Sequence, residues 1–249
     1  MDYIKHFNQN PENYLRFRPD YPTALYDYLA KLVKENTCVW DCGTGNGQAA
    51  LALTKHFDQV IATDINPQPL YLAPKSAKIN YLCCSAEKMP IRDKSFDLIT
   101  IAQALHWFNI DSFYQELRRV SKDSAVIAAW CYSLGKFNFE VDEVILNLYD
   151  GILGKVYWPH QRSYIDEEYR TIPFPFAKIT SPSFCIEKEM NLPELLGYLN
   201  TWSAVKEYEL RSKLNPINLV AQELARAWGE PLRKHKMVWP LHLLLGTLK

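Results

Sequence analysis

The stretch Val39-Trp40-Asp41-Cys42-Gly43-Thr44-Gly45-Asn46-Gly47 constrains this chain more than any other. A short apolar run leads into it, and Gln48-Ala49-Ala50-Leu51-Ala52-Leu53, a good helix-forming segment, leads out. Strand, glycine turn and helix in that order place a crevice at the strand's carboxyl end, where nucleotides bind in open α/β sheets. Glycines let the backbone approach a ligand closely, because no Cβ intervenes and positive φ costs little. The first amides of the helix have no partner within it and point at whatever fills the crevice.

The flanking sequence repeats the pattern. Thr37 to Asp41, Gln59 to Asp64, Ile79 to Cys84, Phe96 to Ala102 and Ala125 to Trp130 are continuous apolar runs. Between and before them, Leu25, Tyr28, Leu29, Leu32 and Val33, then Ala50, Leu53 and Phe57, then Phe113, Leu117 and Val120 recur at helical spacing. Ser121-Lys122-Asp123-Ser124 is expected to form the turn before the fifth strand. Apolar strands alternating with helices predict an α/β fold, a doubly wound, mostly parallel seven-stranded sheet covered on both faces. One domain is expected over residues 1–249. It comprises an N-terminal lid and helix (1–36), a cofactor-binding core (37–131), a helical, aromatic-rich cap inserted after strand 5 (132–176) and C-terminal strands and helices (177–249).

In the second half, Val141, Val144, Ile145, Leu148 and Ile152 predict a helix, and Phe184 to Glu189 a strand. Asn215-Pro216 is a helix start, with Leu219, Val220, Leu224 and Trp228 on one face and Gly229 at the end. Pro240 within Met237 to Thr247 predicts a bent or irregular last strand.

Composition narrows the function. Lys plus Arg equals Asp plus Glu at 28 each, so the net charge of zero argues against non-specific nucleic-acid binding. The basic run Arg233-Lys234-His235-Lys236 stands alone and is read as a solvated turn. Six cysteines without a Cys-x-x-Cys pair suit a reduced, cytoplasmic protein and offer no zinc ligand set, so no metal is expected. No run reaches 18 apolar residues, and no membrane partner is expected.

The ligand follows from the acids. A nicotinamide-binding turn reads Gly-x-Gly-x-x-Gly, whereas Gly43, Gly45 and Gly47 are spaced two and two. Asp41, two residues before Gly43, would repel a pyrophosphate but attract an ammonium group. Asp64 lies 21 residues beyond Gly43, near the offset at which an acid holds ribose hydroxyls. An amine beside a ribose describes S-adenosyl-L-methionine.

Asp-x-Gly-Thr-Gly-x-Gly resembles the first motif of class I S-adenosylmethionine-dependent methyltransferases. Ser85-Ala86-Glu87-Lys88-Met89-Pro90 and Ser95-Phe96-Asp97-Leu98-Ile99-Thr100 extend the resemblance. Three further segments are similar to small-molecule enzymes of the trans-aconitate methyltransferase type: Gln103-Ala104-Leu105-His106-Trp107-Phe108, the region Tyr14 to Pro22, and Tyr198 to Val205.

The resemblance implies a Rossmann-like methyltransferase fold, methyl transfer to a small-molecule acceptor and S-adenosyl-L-homocysteine as product. It implies that Asp41, Gly43, Thr44 and Gly45 hold the methionine portion and Asp64, with Ile65 beside it, the ribose. Ser85 and Ala86 flank adenine, where the family usually has Asp in place of Ser85. Gln103 and Ala104 through His106 face the sulfonium. Tyr14 and Arg18 join the cofactor site from the N-terminal segment, which is expected to close as a lid. Arg18, rather than Arg16, is the expected clamp on the methionine carboxylate.

A carboxylate acceptor needs no base. For a hydroxyl or amine, His106 is the candidate catalytic base, its alternative being a partly buried ring bonded to backbone. A monomer or homodimer is expected.

Overall fold

The computed structural model describes residues 16–248. They divide into two compact units. The sheet unit comprises Asp20–Ser133, Ser163–Cys185 and the chain from Pro240 on; the helical unit comprises the residues up to Pro19, Leu134–Arg162 and Ile186–Trp239.

The sheet unit opens with α1 (Thr23–Leu32), which buries Leu25, Tyr26 and Leu29. Then follow β1 (Cys38–Cys42), α2 (Gln48–Leu53), β2 (Gln59–Asp64), α3 (Pro67–Leu72), β3 (Ile79–Cys83) and β4 (Phe96–Ala102). A 3₁₀ turn at Leu105–Trp107 leads to α4 (Ile110–Val120) and β5 (Ser121–Tyr132). Asn109 caps α4 by accepting from the Ser112 amide at 3.1 Å. Phe113, Tyr114, Leu117 and Val120, three or four residues apart, form its buried face. Phe113 is fully buried, worth about 1.5–3 kcal/mol.

The later strands are β6 (Ala177–Lys178), β7 (Phe184–Met190) and β8 (His235–Thr247). The sheet runs β3-β2-β1-β4-β5-β8-β6, with β7 also paired to β8. β1 to β5 are mutually parallel, and β8 runs antiparallel to both β5 and β6. The sheet therefore has eight strands where seven were expected, β6 being a two-residue pairing with no periodicity for a sequence to display.

Ser121 to Ser124 do not form a turn. β5 begins directly at Ser121, which pairs with Phe96, and a register shift before Leu98↔Val126 absorbs the extra residues. Lys122 is held there by the Asp97 carboxylate at 2.6 Å. Asp97 also accepts from the Thr37 hydroxyl (2.5 Å) and the Cys38 amide (2.9 Å), which ties β4 to the start of β1. Burial pushes the Asp97 carboxyl up, but Lys122, Thr37 and the Cys38 amide outweigh it and leave it below the usual carboxylate range.

The helical unit contains α5 (Phe139–Leu146), a π-helix (Asn147–Leu153), α6 (Gly154–Tyr157), α8 (Leu192–Leu199), α9 (Ser203–Ser212), a 3₁₀ turn (Pro216–Leu219) and α10 (Ala221–Trp228); α7 (Arg162–Asp166) begins at its boundary. The π-helix shifts the buried face from the expected Ile152 to Tyr149 and Leu153, because each i→i+5 bond inserts a residue. The Asn215-Pro216 start likewise makes a 3₁₀ turn first. Its tighter winding turns Leu219 outward (60% exposed), while Val220, Leu224 and Trp228 stay buried. β8 accommodates Pro240 at an exposed position just before its register with β5 begins at Leu241.

Candidate cofactor site

The carboxyl ends of β1, β2 and β4 carry the candidate residues. Gly43, Gly45 and Gly47 have φ of 69°, 56° and 77°. The turn is closed by Thr44 N–H to the Thr63 carbonyl (2.9 Å), Gly47 N–H to the Thr44 carbonyl (3.0 Å) and Gly45 N–H to the Asp64 carboxylate (2.8 Å). At Gly43 the need for glycine is steric as well as conformational: a Cβ there would lie 2.5 Å from the Ala104 Cβ. The turn thus rests directly on the segment that follows β4.

Asp41 is 1% exposed, and its two oxygens accept from the Thr44 hydroxyl (2.5 Å) and the Thr100 hydroxyl (2.8 Å). Burial pushes its carboxyl up to about 6, and the neighbouring Asp64 adds to the rise, against the pull of Thr44, Thr100 and the Ala50 backbone. Burial also raises Asp64, against the amides of Asn66, Gly45 and Ile65. Burial together with Asp41 lifts the Tyr81 phenol to about 12. Two acids raised together, with no basic side chain among their hydrogen-bond partners in the described residues, describe a place where a cation lowers the energy.

Ile65 follows on the surface at 41% exposure, and Ala86 is buried. Ser85 donates its hydroxyl to Glu87 and accepts the Glu87 amide at 3.2 Å, so its side chain builds the local turn. Glu87 in turn accepts the Asn109 amide at 2.9 Å, at the start of α4.

At the end of β4, Gln103 holds a left-handed backbone, φ 53°, unusual for a side chain with a Cβ and costing about 1–2 kcal/mol. Its amide donates to the Trp130 carbonyl (2.9 Å) and its side-chain nitrogen to the Tyr132 carbonyl (3.1 Å). The side-chain oxygen is buried without a hydrogen-bond partner. Strain that projects an orphaned acceptor points to a ligand donor. His106 follows in the 3₁₀ turn, 6% exposed, with Nδ1 2.9 Å from the Tyr169 hydroxyl.

Of the N-terminal residues, Tyr14 lies outside the described residues. Arg18 belongs to the helical unit, where its guanidinium donates to the Thr201 carbonyl at 3.2 Å and lies 5.4 Å over the Tyr198 ring. The structure therefore brings together Asp41, Gly43, Thr44, Gly45, Asp64, Gln103 and Ala104 in one unit, with His106 one turn further along the chain.

Sequence reasoning missed Thr100 and Tyr169. Thr100 had a local signal, a hydroxyl inside an otherwise apolar strand. Tyr169 had none, since 63 residues separate it from His106.

An open, mainly parallel sheet whose glycine turn lies beside two buried acids defines the class: a Rossmann-like α/β protein with a crevice at the carboxyl ends of its strands. Comparison with known proteins narrows it. Residues 40–129 match the family model described as a methyltransferase domain. A structure described as a type II methyltransferase from Anaeromyxobacter dehalogenans is 38% identical, with a TM-score of 0.87, over 93% of this chain and 98% of that one. A protein named as a methyltransferase from Dictyostelium discoideum is 29% identical over 96% of this chain and 94% of its own length. The YcgJ protein of Bacillus subtilis, 16% identical with a TM-score of 0.53 over 92% of this chain and 99% of that one, shares the fold. The chain belongs to the class I S-adenosylmethionine-dependent methyltransferases.

That family and fold imply S-adenosylmethionine binding, and the residues present fit it. The turn is open at Gly45, where an added Cβ would meet nothing within 4 Å, Asp41 and Asp64 are acids raised by burial, and Gln103 offers an orphaned buried oxygen.

Proposed function

We propose that this methyltransferase acts on a small-molecule acceptor, at a carboxylate or hydroxyl oxygen, as enzymes of the trans-aconitate type do. The observation that supports this most is the end of β4. There the strained Gln103 presents a buried acceptor oxygen, and the buried ring of His106 lies three residues on. S-adenosylmethionine, when bound, supplies an electrophilic methyl group on a sulfonium.

The chain's own residues do the rest. Asp41 and Asp64 hold cationic and hydroxyl groups, Gly43 and Gly45 allow close approach, and Gln103 accepts a hydrogen from the bound pair. For an acceptor that carries a hydroxyl, His106 takes the proton; for a carboxylate it is dispensable. The net charge of zero supports a small acceptor over a nucleic acid.

The deciding experiment presents carboxylic acids, phenols and amines with a methyl-labelled donor. Label passing to members of one class identifies it. Label passing to none, with the cofactor bound, would sink the small-molecule reading. His106→Ala then separates the acceptors, since an unchanged rate with intact cofactor binding removes the base.

A further inference from the structure

Tyr169 sits in the core of the sheet unit, 0% exposed, with its hydroxyl 2.9 Å from His106 Nδ1. It reaches that place through an uncommon backbone. Glu168 and Tyr169 are consecutive left-handed residues, φ 58° and 61°, and neither is glycine. Side chains with a Cβ seldom occupy that region even singly, so the surrounding contacts must hold both there.

Those contacts are visible. The Tyr169 amide donates to the Tyr164 carbonyl at 2.7 Å, and the Ile172 amide donates to the Tyr169 carbonyl at 3.2 Å. The Glu168 carboxylate lies 3.6 Å from His242 on β8 and 3.5 Å from Arg170. The turn is therefore anchored on both sides, and what it delivers to the core is a phenol against a histidine.

A core anchor alone needs no hydroxyl, and phenylalanine would pack there without a polar group to satisfy. The hydroxyl has a specific consequence for imidazole. In a neutral ring one nitrogen carries the hydrogen and the other the basic lone pair, and a hydrogen bond at one nitrogen selects the tautomer. Where Nδ1–H donates to the phenol oxygen, Nε2 is the basic nitrogen; where the phenol donates to Nδ1, Nε2 carries the hydrogen.

We propose that Tyr169 is a positioning residue for His106, fixing the Nδ1–H tautomer and the ring orientation so that Nε2 receives the acceptor's proton. This rests on the reading of His106 as the base. In the step, the acceptor's O–H bond breaks and an N–H bond forms at Nε2. The electron pair left on oxygen would make the bond to the methyl carbon as the donor's carbon–sulfur bond breaks, its pair passing to sulfur so that S-adenosylhomocysteine leaves, and the resulting imidazolium keeps its Nδ1–H on Tyr169.

The test combines nitrogen-15 spectra of the histidine rings, S-adenosylhomocysteine binding and turnover. Turnover is read with whichever member of the acid, phenol and amine panel is methylated. In the wild-type protein the His106 ring, assigned by its loss in His106→Gln, should show the Nδ1–H form. Tyr169→Phe should shift those resonances towards a mixture of tautomers and leave S-adenosylhomocysteine affinity within about two-fold. It should lower kcat about ten-fold or more, a fraction of the 10²–10⁴ that a general base contributes.

In the His106→Gln background, Tyr169→Phe should cost no further activity, since the two act as one unit. A wild-type ring in the Nε2–H form overturns the proposal, and that measurement stands even if Tyr169→Phe folds poorly. So does an unchanged spectrum, an unchanged kcat, or an additive loss in the double variant. If His106→Gln keeps the full rate, the base reading fails on its own, and the ring spectra alone then decide whether Tyr169 sets the tautomer.

Discussion

The Asp64 carboxylate accepts the Gly45 amide hydrogen at 2.8 Å. Its other oxygen accepts from the Asn66 amide at 2.9 Å. The acid that the sequence assigns to ribose is thus also the tie that joins the end of β2 to the middle of the glycine turn. Under that assignment one carboxylate serves both the turn and the ligand, so its removal acts on the two together.

Asp64→Ala should therefore weaken cofactor binding by more than a lost ligand contact. A hydrogen bond to a charged group contributes about 1.5–3 kcal/mol, so the amide left unpaired at Gly45 and the lost ligand contact each add a term of that order. We expect S-adenosylhomocysteine affinity to fall at least a hundred-fold by calorimetry, while Asn66→Ala, which keeps the carboxylate, should cost far less.

Asp41 sets a pH dependence whose sign can be worked out. Burial raises its folded pKa from 3.8 to about 6, so between these values the folded state holds a proton that the unfolded state releases. Its contribution to stability is complete below pH 4 and is lost as pH rises through 6. A shift of this size corresponds to about 3 kcal/mol, at 1.36 kcal/mol per unit. Asp41→Asn should flatten this window and stabilise the ligand-free protein at pH 7.5 relative to wild type, while abolishing cofactor binding. Urea unfolding of both proteins at pH 4.5 and 7.5 checks it, the difference between them isolating Asp41 from other acids.

The glycines of the turn should not be equivalent. Alanine at Gly45 meets nothing within 4 Å and bears only the left-handed backbone, whereas at Gly43 it also drives into Ala104. Gly45→Ala should cost about 1–2 kcal/mol and keep the fold. Gly43→Ala should cost about 1–3 kcal/mol more than that, with loss of cofactor binding. Equal melting temperatures for the two variants would contradict the packing of the turn on Ala104.

At the opposite end of the strands, Asp97→Ala should unfold more readily without touching the cofactor. Asp97 is 6% exposed, and its loss removes the acceptor of the Thr37 hydroxyl and the Cys38 amide, while Lys122 keeps Glu35 and the Thr37 oxygen. Leaving a buried hydrogen-bond donor unsatisfied costs about 1–3 kcal/mol. The expected outcome is a lower urea midpoint with S-adenosylhomocysteine affinity unchanged in the folded protein.

What the sequence determined by itself is the part built from neighbours. β2 and β4 begin and end where the apolar runs do, because a strand buried on both faces needs uninterrupted apolar residues. The glycine turn and its two acids are legible for the same reason: their spacing along the chain is their geometry.

Where the count of residues per turn changes, the sequence misleads. The π-helix at Asn147–Leu153 and the 3₁₀ turn at Pro216–Leu219 move Ile152 and Leu219 off the faces that a 3.6-residue period predicts. Ser121 to Ser124 read as a turn, yet they join β5, because Asp97 and Lys122 meet only once the strands pair.

The partners of the site belong to tertiary structure alone. Thr100 on Asp41, Ala104 against Gly43, and Tyr169 on His106 are contacts between residues distant in the chain. A sequence supplies the donors and acceptors, but burial decides which pairings are obligatory. An unpaired polar group costs little in water and several kcal/mol inside a protein.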